Sequence, residues 1–190
     1  MRLWPFVACL LSISLGASAA EIAGVKLPER TKLGTCELVL NGAGLRKKLF
    51  FKVYIASLYL AEKRSSPAEV LALDGPKRVS IILLRTLPAQ DLVDALNEGI
   101  RENSSPGELQ TVQGRFDELT ATMLAVQEGK KGDVISVDWR PDAGTFVLLN
   151  GEPKGKPIPG EDVYRALLKA WLGEHPSSAR LKKALLGQTN

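Results

Sequence analysis

Arg46 and Tyr54 are the residues of this chain whose types and surroundings could hold a ligand. The arginine follows Gly42-Ala43-Gly44, and the tyrosine lies in a run, Phe50 to Leu60, that is apolar at both odd and even positions. Alternate residues of a strand face opposite sides, so this run reads as a strand that must be covered on both faces. An arginine fork can grip a carboxylate through two hydrogen bonds, and a tyrosine hydroxyl can add a third. The magnitudes divide the labour. Burying ten methylenes at about 0.8 kcal/mol each contributes roughly 8 kcal/mol before ordering costs, whereas a hydrogen bond to a charged group contributes about 1.5–3 kcal/mol. An apolar tail would therefore set affinity, and Arg46 would set orientation. Other readings stay open from the sequence alone: Arg46 pairs with a carboxylate such as Glu37 or Asp162, Tyr54 is a core tyrosine with a satisfied hydroxyl, and Lys52 snorkels at the sheet edge.

Other chemistries lack their residues. His175 is the sole histidine, so zinc sites built on two or three histidines are excluded, and a Ser-His-Asp triad would have to use a histidine beside Pro176 in a loop after a helix. Gly42-Ala43-Gly44 lacks the third glycine of a dinucleotide fingerprint and leads into a strand; it reads as a tight turn. Gly155-Lys156 is followed by Pro157, where a phosphate loop needs serine or threonine. Neither a metal nor a cofactor is expected. The formal charge of +4 is small, and its longest basic run, Arg46-Lys47-Lys48, reads as solvated surface. Nucleic acid is not an expected partner, since phosphate binding normally shows as a basic stripe.

Met1-Arg2, an apolar run from Leu3 to Leu15 and small residues from Ala17 to Ala20 form the three-part pattern of a signal peptide over residues 1–19, with cleavage after 19 or 20. The apolar run is shorter than the roughly 20 residues a spanning helix needs. A periplasmic or secreted protein with no membrane span is expected. Loss of Cys9 with the leader leaves Cys36 alone, which excludes an intramolecular disulfide and leaves stability to a hydrophobic core.

Residues 20–190 read as one domain. The stretches around IAGVKLP and ELVLNGAG read as short strands broken by Pro28, Gly34, Gly42 and Gly44; Lys77 to Leu84 reads as another strand. Ser65-Ser66-Pro67 and Ser105-Pro106 open helices, and Pro88 begins one with Leu92, Val93, Leu96 and Ile100 at helical spacing. Asp133–Trp139 and Thr145–Leu149 form a hairpin, Asn150-Gly151 turns the chain into a further strand, and helices close the chain from Gly160 to Leu172 and from Ser177 to Gly187. Antiparallel strands with helices grouped between and after them argue an α+β fold, with helices on one face of a sheet.

The block from Asn41 to Leu60, with GPKRV at Gly75–Val79, ALNEGI at Ala95–Ile100 and IPGEDVYRALLKAWLG at Ile158–Gly173, resembles the chalcone isomerase family, especially its exported bacterial members. The resemblance implies an open-faced β-sandwich, a curved antiparallel sheet with helices packed on it and a ligand cleft between. It places the substrate-orienting arginine at Arg46. The catalytic threonine falls on Tyr54, the catalytic tyrosine and asparagine near Asp91 and Glu98, and a polar residue of the late helix near Ala166, which makes these last three candidates to line the cleft. Ring closure of a chalcone needs donors aimed at a developing enolate, and carboxylates there would repel it. Non-catalytic family members resemble fatty-acid-binding proteins, in which the same arginine and a tyrosine in a Lys-Val-Tyr context hold a carboxylate; Lys52-Val53-Tyr54 fits that pattern. The expectation is a binding protein for a fatty acid or similar small apolar carboxylate, with an intramolecular lyase of chalcone isomerase type and an envelope protein-interaction module as the alternatives.

Overall fold

The computed structural model describes residues 20–188, so the expected signal peptide lies outside the described residues. In chain order the elements are β1 (Ala20–Ile22), β2 (Val25–Leu27), β3 (Arg30–Leu33), β4 (Cys36–Lys48), β5 (Phe51–Leu60), α1 (Pro67–Ala72), β6 (Lys77–Leu83), β7 (Leu87–Pro88), α2 (Ala89–Glu102), α3 (Pro106–Leu124), β8 (Glu128–Gly129), β9 (Val134–Arg140), β10 (Gly144–Leu149), β11 (Glu152–Ile158), α4 (Glu161–Leu172) and α5 (Ala179–Leu185). Local signals set several of these boundaries. Ser66 and Ser105 each close a capping box with a glutamate three residues on, and proline follows at the first helical position. Ser178, rather than the expected Ser177, caps α5 through the Leu181 amide.

Seven strands form one antiparallel sheet in the order β11-β10-β9-β6-β5-β4-β3, with β1–β2 and β7–β8 as separate two-stranded ribbons. On one face, Tyr54, Ala56, Leu58 and Leu60 of β5 join alternate residues of β6 and β9 and the apolar faces of α2, α3, α4 and α5 in a single core. The α+β architecture with helices on one face of a curled sheet agrees with the sequence expectation. Among the described residues no helix is long and apolar enough to cross a membrane.

The opposite face carries polar rows that the strand register aligns. Ser57, Ser80 and Ser136 face one another across three strands, and so do Tyr59, Arg78 and Asp138. Arg78 holds the buried Asp138 carboxylate with two hydrogen bonds, both of 2.6 Å, and donates a third of 2.8 Å to Thr31.

The expected turn at Gly42-Ala43-Gly44 is absent. β4 runs unbroken from Cys36 to Lys48, with register shifts between Leu40 and Gly42 and between Arg46 and Lys47, and the chain reverses only at Leu49–Phe50. The glycines answer to packing. A Cβ on Gly42 would lie 2.1 Å from the Ala184 carbonyl oxygen of α5, and one on Gly44 2.7 Å from the Ala184 Cβ. The shift at Asn41 turns its side chain inward, where Nδ2 donates to the Leu185 carbonyl at 2.7 Å and Oδ1 accepts the Arg64 amide at 2.7 Å.

Candidate functional site

β4 and β5 place Arg46 and Tyr54 directly opposite one another, which puts both side chains on the helix-facing side of the sheet. α4 supplies the third member: the Trp171 indole Nε1 donates to the Tyr54 hydroxyl oxygen at 3.2 Å. Burial pushes the Tyr54 phenol above its usual pKa, against the opposing pull of the Trp171 hydrogen bond and of Arg46, which acts through its charge and through hydrogen bonding. Tyr54 therefore keeps its proton at neutral pH. Because its oxygen already accepts from Trp171, that proton is the group it can offer to a ligand oxygen.

Arg46 is half-buried, and its Nη1 donates to the Lys47 carbonyl at 2.8 Å. The carboxylates the sequence offered as partners are engaged elsewhere: Glu37 binds Arg30, and Asp162 binds Arg115 at 2.6 Å. Among the described residues no carboxylate lies within ion-pair distance of Arg46. The guanidinium gives one of its five N–H donors to Lys47 and lies within hydrogen-bonding reach of the Tyr54 hydroxyl, with further donors left over. The arrangement is a cationic fork beside a protonated phenol, a chemistry suited to an anionic oxygen pair.

The other candidates fare differently. Asp91 and Glu98 are exposed on α2, whose Val93, Leu96 and Ile100 turn inward, so the structure does not bring these two carboxylates to the pair. Ala166 is buried in the core on α4. His175 is exposed and its backbone is held by Asn103, in keeping with a surface loop.

A groove of about 820 Å³ runs between β1, the outer side of β4 and α5, bordered by Ile22, Arg30, Ala43, Lys63 and Arg180. A small apolar void of about 20 Å³ lies between α2, α3 and the sheet, lined by Leu92, Met123, Ile135 and Leu149. It has room for about one water. Neither borders Arg46 or Tyr54, and the ground next to that pair is occupied by Trp171. Trp171 is the member of the site that the sequence does not mark. It is buried, but its link to Tyr54 spans 117 positions and left no local signal.

The chain belongs to the chalcone isomerase-like family, whose profile matches residues 19–187. No curated protein matches the sequence. Among solved structures it is similar to the Arabidopsis thaliana fatty-acid binding protein AtFAP1, with a TM-score of 0.66 and 16% identity over 89% of this chain and 96% of that one. At that identity the likeness carries the fold.

Proposed function

We propose that this protein binds a fatty acid or similar anionic apolar ligand in the bacterial envelope, without transforming it. Arg46 takes the head group and Tyr54 donates an auxiliary hydrogen bond. The observation that carries this reading is the cross-strand pair itself: an arginine without a carboxylate partner among the described residues, facing a buried tyrosine whose proton is uncommitted. The tail would run beneath the helices on the same face of the sheet, among the packed apolar side chains of α2, α3 and β9, which must part to admit it. A solved relative in fold carries the description fatty-acid binding protein, which lends the reading support.

The same geometry argues against ring closure of a chalcone. Tyr54 stands where the resemblance places the threonine, Asp91 and Glu98 are exposed, and Ala166 offers no polar group, so the further polar groups that the resemblance assigns to an enolate site do not join the Arg46–Tyr54 pair.

Native mass spectrometry of the undenatured protein, followed by displacement of a fluorescent fatty acid, tests the proposal. Arg46→Ala is expected to weaken fatty-acid binding by about tenfold or more, the equivalent of one charged hydrogen bond. Unchanged affinity in that variant overturns the assignment. Flavanone formation from a chalcone that vanishes in Arg46→Ala would replace binding with catalysis.

A further inference from the structure

The β4–β5 hairpin ends in three consecutive large apolar side chains that face solvent: Leu49 is 84% exposed, Phe50 95% and Phe51 58%. Leu49 also adopts φ +54°, the left-handed region that bulky residues avoid. The same fold makes another two-residue reversal with residues suited to that conformation, Asn150-Gly151. The hairpin thus carries leucine and phenylalanine where a reversal needs neither.

Cations surround this tip. Arg46, Lys47, Lys48 and Lys52 flank it along the chain, and no carboxylate occurs between Glu37 and Glu62. Arg85 lies 5.0 Å from the centre of the Phe51 ring. Its neighbour Thr86 accepts a hydrogen bond from the amide of Lys131, which brings Lys130 and Lys131 to the same end of the sheet. The acidic groups near this end are Glu128 and Asp91, both exposed, Glu152, which pairs with Lys154, and Asp133, whose oxygens accept from the Lys130 amide and from Asn150.

Lysines alone would be explained as guards of the exposed outer side of β4. They do not explain Phe50. A convex two-residue reversal is also too small to supply the roughly 800 Å² per partner that a stable protein interface buries. A fluid bilayer has no such requirement: aromatic and leucine side chains enter the headgroup region while long cationic side chains meet anionic phosphates and keep their charges in water.

We propose that the Leu49–Phe51 tip and its ring of lysines and arginines form a docking element for an anionic bilayer surface. The inference stands apart from the ligand assignment. Where that assignment also holds, docking sets Arg46, at the base of the same hairpin, close to the interface in which acidic amphiphiles reside.

Co-sedimentation of the purified protein with phosphatidylcholine vesicles, with and without phosphatidylglycerol, tests it. Binding is expected to the anionic vesicles alone, reversible and weakened as ionic strength rises. The double variant Leu49→Asn, Phe50→Gly, which installs the pair this fold uses at 150–151, retains a competent turn and is expected to lose about tenfold or more of that binding. Lys47→Gln with Lys48→Gln is expected to weaken binding and flatten its salt dependence. All proteins share the same amino terminus, so differences belong to the tip. A Phe50→Trp variant should shift its emission to the blue on anionic vesicles. Equal binding by the Asn-Gly variant overturns the inference, as does absence of binding by the unmodified protein. A concentration-dependent dimer that the Asn-Gly variant abolishes, without vesicle binding, overturns it in favour of a protein contact. Fatty-acid affinity in the Asn-Gly variant separates this result from the ligand assignment, because it should remain unchanged.

Discussion

Arg46 and Arg78 each stand across a strand pair from a tyrosine of β5, Arg46 from Tyr54 and Arg78 from Tyr59. Arg78 is saturated. Its fork grips both oxygens of buried Asp138, its remaining amino group reaches Thr31, and the Asp138 hydrogen bonds hold its pKa above the ordinary value. Tyr59 donates its proton to the Pro28 carbonyl at 3.0 Å. On the other face, Arg46 gives one donor to a neighbouring carbonyl, and Tyr54 accepts from Trp171 while keeping its own proton free. The same residue types thus make a structural tie in one place and a set of uncommitted donors in the other. Partners, more than residue identity, decide which arginine could receive a ligand.

The comparison breaks first at Asp138. Asp138→Ala leaves Arg78 partly buried without its counter-charge and is expected to cost about 3–5 kcal/mol in denaturant unfolding. A small loss there would mean that Arg78 is no more committed than Arg46. Tyr54→Phe removes the acceptor of the buried Trp171 indole and is expected to cost about 1–3 kcal/mol, whereas Tyr59→Phe, which loses only a partly buried donor, should cost about 1 kcal/mol. Arg46→Ala is expected to stay within about 0.5 kcal/mol of the unmodified protein in the same experiment, as a substitution that breaks no buried pair. A loss comparable to that of Asp138→Ala would make Arg46 a second structural tie.

The smallest effect concerns how α4, which carries Trp171, is held. Lys169 of α4 hydrogen-bonds Glu108 of α3 at 2.6 Å, and this contact with the Ser105 backbone amide draws the Glu108 carboxyl from 4.5 to about 2. A carboxyl whose folded pKa lies below its unfolded one contributes stability that is whole above about pH 4.5 and vanishes as pH falls through about 2. Glu108→Gln should therefore flatten the acid limb of a stability profile slightly and leave the Tyr54–Trp171 contact, read by tryptophan emission, unchanged at neutral pH.

Much of this fold could be read from local chemistry. Ser66-Pro67 with Glu69 and Ser105-Pro106 with Glu108 announce their helices because serine and glutamate satisfy the first amides reciprocally. Asn150-Gly151 announces its hairpin because both residues tolerate positive φ. Arg46 and Tyr54 could be nominated from type and context, yet their shared row depends on the shift between Arg46 and Lys47, which no residue type marks. Asp91 and Glu98 rest on the family resemblance alone, and helical periodicity sets them opposite the Val93, Leu96 and Ile100 stripe. The partners of Arg78 and Tyr54 lie 60 and 117 positions away, beyond any local pattern. The hairpin tip is hidden for another reason: the apolar run includes Phe50, although the strand begins at Phe51, and nothing at 49–50 has turn chemistry.

The bare backbone at Gly42 and Gly44 ties β4 to α5, and Asn41 reaches the Leu185 carbonyl across 144 positions of sequence. During synthesis, then, the strand that presents Arg46 emerges well before the helix that walls it and waits while the 144 positions between Asn41 and Leu185 are spanned. Such a long-range closure slows maturation and prolongs the aggregation-prone, half-assembled stage.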